Sequence, residues 1–88
     1  MTPEIENYRQ KLDLIEDKLI LLLNERLKYV LEIGKIKRKQ GLPIADPKRE
    51  EAILNRVAYK NPGPMSEEFV KEVFKKIIEE SIKMESCG

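Results

Sequence analysis

One apolar stripe dominates the first half of this chain. Counting in steps of three and four from Ile5 gives Ile5, Tyr8, Leu12, Ile15, Leu19, Leu22, Arg26, Tyr29, Ile33 and Ile36. That spacing marks one face of an α-helix, and sustained over this length it predicts a single long helix with a packed seam. Thr2 and Pro3 suit its N-cap and first turn, with Glu4 and Glu6 at the positive end of the helix dipole. Gly41 and Pro43 stop it near residue 39. At about 1.5 Å per residue, roughly 37 residues make a rod about 55 Å long. Leu14, Leu21, Leu23, Leu27, Val30 and Leu31 widen the stripe further.

The remaining residues supply two shorter helices. Asp46 and Pro47 open one over about 47–59, with Ile53, Leu54 and Val57 on one face, before the breaker Asn61-Pro62-Gly63-Pro64. Ser66 caps another over about 66–86, whose apolar face is Phe69, Val70, Val73, Phe74, Ile77 and Ile78. No alternating strand pattern, repeat or low-complexity run is present. The fold class is therefore all-α, three helices in one domain over 1–88. Two short helices cannot bury so long a rod on all its apolar sides, which points to an intertwined helical homodimer with first helices packed on each other.

Composition removes several classes of function. Seventeen basic and sixteen acidic residues give a net charge of +1, which argues against bulk attraction to nucleic acid. The longest apolar run, Leu19 to Leu23, is too short to span a bilayer, and Met1 is followed by acidic and polar residues, so no membrane association and a cytoplasmic location are expected. A single cysteine, Cys87, allows no internal disulfide. With no histidine, imidazole bases and the usual zinc sites are excluded.

Against that background Arg26 stands out, because nine of the ten stripe positions are apolar or aromatic and the tenth is a guanidinium. A guanidinium does not lose its charge, so burying it requires a carboxylate of the protein or an anionic ligand. Lys37 shares its helical face, about 16 Å further along the axis, although Lys35, Lys37, Arg38 and Lys39 also read as a frayed basic helix end. Arg49 and Glu50 lie one turn before Ile53 and Leu54. Ser81 continues the Phe74–Ile77–Ile78 face, as a core hydroxyl bonded four residues back would, and Glu85 follows one turn later. Arg9 lies about 25 Å from Arg26 along the rod, too far to join it within one molecule. In an antiparallel dimer, Arg9 of the partner subunit would reach.

These residues carry a resemblance. From Arg9 to Glu85 the chain resembles the all-helical, AroQ class of chorismate mutases, in its stand-alone form. The matching segments are YRQKLDLIEDKLILLLNER with Arg9 and Arg26, EIGKIK with Lys37, PIADPKRE with Asp46, Arg49 and Glu50, and FKKIIEESIKME with Ser81 and Glu85. The resemblance implies an intertwined dimer with shared active sites and a Claisen rearrangement of the dianion chorismate to prephenate, on the route to phenylalanine and tyrosine. It implies that Arg26 and the partner's Arg9 clamp the substrate carboxylates, and that Lys37 contacts the side-chain carboxylate and the ether oxygen. Asp46 and Glu50 would hold the ring hydroxyl region, with Arg49 supporting electrostatically. Ser81 would bond the ring carboxylate, and Glu85 would face the ether oxygen opposite Lys37.

A pericyclic reaction needs no nucleophile, base, metal or cofactor, which suits a chain without histidine. Several relatives carry glutamine where this chain has Glu85, so Glu85 is expected to work protonated, with activity falling as pH rises. Two other readings stay open on sequence alone: an isochorismate–pyruvate lyase on the same scaffold, and a non-catalytic helical dimerisation module in which Arg26 pairs with Glu50 or Glu85.

Overall fold

The computed structural model describes residues 2–87. It contains three helices and, among the described residues, no strand: α1 (Pro3–Gln40), α2 (Pro47–Lys60) and α3 (Glu67–Cys87). Each boundary has a local cause. Thr2 accepts a bond from the Ile5 N–H at 3.3 Å and Pro3 occupies the first turn, where a missing N–H costs nothing. At the other end Gly41 adopts the left-handed conformation (φ 70°). Its N–H donates to the Arg38 carbonyl (3.3 Å) and that of Leu42 to the Lys37 carbonyl (2.8 Å), the paired bonds of a Schellman stop.

α2 begins on a reciprocal cap. The Asp46 side chain accepts from the Arg49 N–H (3.1 Å), while Glu50 reaches back to accept from the Asp46 N–H (3.3 Å). In the next connection, Asn61 accepts from the Gly63 N–H and donates to the Met65 carbonyl, and Ser66 accepts from the Phe69 N–H at the start of α3.

α3 packs on both other helices, whereas α1 and α2 have no close backbone approach of their own. It runs in the same sense as α1, since Ser81 meets Arg26 and Glu85 meets Arg38. The core is small: Ile53 of α2 with Val70 and Ile78 of α3. The molecule measures 57 × 25 × 16 Å, and its long dimension is the rise of α1 itself, about 57 Å for its 38 residues.

The two shorter helices cover only the later part of that rod. All nine apolar members of the stripe from Ile5 to Ile36 are exposed in the single chain, and Leu21 beside them is 71% exposed. The face of α1 that turns inward lies alongside the stripe: Leu23, Arg26, Leu27, Val30, Leu31, Gly34 and Lys37 are buried or half-buried, again at spacings of three and four. Arg26 therefore sits at the border between the bare seam and the face that meets α3.

Candidate active site

Where the three helices and the 41–46 loop converge they leave a cleft of about 320 Å³, within the range of small-molecule sites. α1 contributes Arg26, Tyr29, Val30, Ile33 and Lys37; the loop and α2 contribute Ile44, Asp46, Arg49, Glu50 and Ile53; α3 contributes Ile78, Ser81, Ile82 and Glu85. Seven of the eight residues singled out in the sequence thus share one cavity. Arg9 is not among them. It lies exposed on the bare stretch of α1 and pairs with Glu6 at 3.2 Å.

The α3 wall holds two polar groups on a buried face. Ser81 donates its hydroxyl proton to the Ile77 carbonyl (2.6 Å) and accepts from Arg26 Nη1 (2.8 Å). It is thus at once the back-bonded core hydroxyl and a site residue that orients the guanidinium. Arg26 makes no ion pair among the described residues. Burial lowers its pKa from the ordinary value, and repulsion from Arg49 and Arg56 lowers it further. Its charge persists, but its surroundings favour an added anion.

One turn on, Glu85 is 5% exposed. Its Oε2 lies 3.0 Å from Lys37 Nζ, whose side chain is 19% exposed. The ammonium also donates to the Ile44 carbonyl at 2.7 Å. Oε2 is within ion-pair distance of the ammonium but receives no well-aligned hydrogen bond, which leaves a buried acceptor position unfilled. Lys37 is thereby part of the site and not merely a frayed helix end.

The charges of the cleft divide unevenly. Its three carboxylates are engaged: Asp46 and Glu50 in capping α2, and Glu85 with Lys37. Arg26 and Arg49 have no carboxylate partner among the described residues. Two unmatched guanidiniums beside apolar walls leave the cleft with uncompensated positive charge, which suits an anionic small molecule.

Several residues around the site had no signal in the sequence. Ile44 and Ile82 belong to no periodic run that singles them out, yet they line the cleft. Gly34 and Arg38 were silent for a different reason. A mid-helix glycine and one more cation in a basic stretch acquire meaning only through Glu85, on another helix. A Cβ on Gly34 would lie 2.7 Å from Glu85 Cγ, and Arg38 Nη1 donates to the Glu85 carbonyl at 2.6 Å.

Among the described residues no helix is long and apolar enough to cross a membrane, and no three His, Cys, Asp or Glu side chains converge as a metal site.

The fold recurs in known proteins. A chorismate mutase from Thermus thermophilus (form II) superposes with a TM-score of 0.93 at 37% identity, covering 94% of each chain. Chorismate mutase from Helicobacter pylori, solved in complex with prephenate, gives a TM-score of 0.89 at 30% identity, over 97% of this chain and 92% of that one. A bifunctional chorismate mutase/prephenate dehydratase from Aquifex aeolicus is 33% identical over 86 residues, 93% of this chain; the chain spans about a quarter of that relative's length, 24%. The family profile of chorismate mutase type II matches residues 8–86. With that match running from the bare stretch of α1 to the turn that carries Glu85, the chain belongs to the chorismate mutase type II family.

Proposed function

We propose that this protein converts chorismate to prephenate, and that it does so as a homodimer whose two clefts are each completed by Arg9 of the partner subunit. The observation that carries the reading is the pair of unmatched guanidiniums, Arg26 and Arg49, in a cleft of small-molecule size. Family membership supports the reaction, as does the prephenate bound to the H. pylori relative. The exposed seam of α1 supports the dimer, because a contiguous apolar surface of that length is unusual in a protein that stays monomeric.

The chemistry follows from what the cleft offers. In the rearrangement one C–O bond breaks as one C–C bond forms within the same molecule, so no atom or proton leaves. The protein has two tasks: to hold the side chain folded over the ring, and to stabilise negative charge growing on the ether oxygen. Arg26, steadied by Ser81, and Arg9 of the partner subunit fix the two carboxylates through rigid forks. Arg49 adds positive potential. Asp46 and Glu50 face the ring hydroxyl, and the Ser81 hydroxyl turns from Ile77 to the ring carboxylate. Once the 3.0 Å Lys37–Glu85 pair opens to admit the substrate, Lys37 donates to the ether oxygen and Glu85, when protonated, donates from the opposite side. Apolar walls from Val30, Ile33, Ile53 and Ile78 exclude water and favour the compact conformer.

The test is loss of chorismate absorbance with purified protein, with the product identified. Prephenate from the wild type, and a kcat/KM reduced by roughly 10²–10³-fold in Arg26→Ala, is the expected result. Elimination of pyruvate from isochorismate without turnover of chorismate reassigns the site to a lyase. A folded protein inert to both substrates removes the catalytic reading.

A further inference from the structure

Glu85 is held by one turn of α1 at three points. Gly34, Lys37 and Arg38 stand at i, i+3 and i+4, hence on one face, and each meets a different part of the same residue. Lys37 takes the carboxylate at 3.0 Å. Arg38 Nη1 takes the main-chain carbonyl at 2.6 Å. Gly34 faces the middle of the side chain, and a Cβ there would sit 2.7 Å from Glu85 Cγ, 3.3 Å from the Glu85 carbonyl oxygen and 3.4 Å from Arg38 Nη1.

The first of those distances is below any real Cβ contact, and Cγ is not a free end that can swing aside. Any side chain at position 34 must therefore move Glu85 or lift α3 off α1. The last turn described for α3 contains no basic residue of its own, so the cation on the Glu85 carbonyl comes from the neighbouring helix. A charge-assisted bond to a carbonyl in that turn also suits the negative end of the helix dipole.

We propose that Gly34 and Arg38 are positioning residues that set where the Glu85 carboxyl stands in the cleft. Neither lines the cavity, so neither touches substrate. They act through Glu85: Arg38 fixes its main chain, and the missing side chain at 34 admits its Cβ–Cγ segment against α1. Lys37, on the same turn, then meets the carboxylate in register. The inference rests on the mutase reading for its catalytic half and on geometry alone for its structural half.

The experiment is a double-mutant cycle with an independent spectroscopic readout. In the wild-type background Arg38→Ala and Gly34→Ala lower kcat by about 10- to 100-fold, with KM changed much less, as a displacement of the order of 1 Å in a catalytic group does. In a Glu85→Ala background the same two substitutions change kcat by less than about twofold, because the group that they position is gone. Arg38→Lys, which keeps a donor for the carbonyl, recovers part of the loss. Alanine is the better helix former, so Gly34→Ala does not weaken α1 itself, and Arg38 is exposed enough for its removal to leave the fold intact. In protein with 13C-labelled glutamate, the Glu85 carboxyl signal shifts in both variants at fixed pH.

Equal losses in both backgrounds, from an active wild type, overturn the proposal by showing a general structural effect. A wild type that does not convert chorismate overturns the mutase reading instead. The carboxyl signal then decides the positioning claim by itself: a shift in both variants upholds it, and an unmoved signal overturns it.

Discussion

At the scale of single residues, the two polar groups on the buried face of α3 behave oppositely. Ser81 is fully satisfied by Ile77 and Arg26, whereas Glu85 keeps one oxygen without an aligned donor. An unprotonated carboxylate can only accept, and beside an ether oxygen gaining negative charge it repels; protonated, it donates. Glu85→Gln supplies a donor at this position, so its kcat/KM is expected to equal or exceed that of the wild type, whereas Glu85→Ala, which has neither donor nor acceptor there, loses activity. The groups sharing this environment are Lys37 and Arg38 from α1 and Asp46, Arg49 and Glu50 around the start of α2. A Glu85→Gln variant as slow as Glu85→Ala rules out a donor role at this position. Arg26 was legible in the sequence because a permanent charge at an apolar period is a contradiction that only a partner resolves. Gly34 was not, because the absence of a side chain carries no sign of what fills the space.

At the scale of elements, the ends of the helices were written locally and the faces were not. Thr2-Pro3, Gly41 and Asp46-Pro47 act through bonds to residues three to five positions away, which a sequence displays directly. The start of α2 serves both stability and the site, since the Asp46 and Glu50 bonds that close its first turn also fix the rim of the cleft. Asp46→Ala removes the acceptor for the Arg49 N–H but leaves Glu50 bonded to the main chain at 46. The expected cost is about 1 kcal/mol in urea unfolding, together with a raised KM. An unfolding curve identical to the wild type shows that the cap is dispensable. Which stripe of α1 meets α3 was hidden, because two neighbouring apolar faces have the same period. Gly34 and the Ser81–Arg26 bond, both long-range features, distinguish them.

At the scale of the whole molecule, a single chain leaves one long seam bare and one candidate site residue, Arg9, out of reach of the cleft. If each cleft combines Arg26 of one subunit with Arg9 of the other, two inactive variants repair one another. Arg9→Ala and Arg26→Ala homodimers contain no intact site, whereas a mixed dimer contains one. After unfolding and refolding together in equal amounts, about a quarter of wild-type activity is expected, since half of the dimers are mixed and each has one working site of two. Recovery of no activity excludes the shared cleft. The rod has a further consequence. In the proposed dimer, a helix clothed by its own chain over only part of its length borrows the rest of its stability from a second copy, and so does the proposed catalytic centre. Mere scarcity then acts as a denaturant: thinned far enough, the protein loses structure and chemistry in one step, and its output falls more steeply than the number of chains.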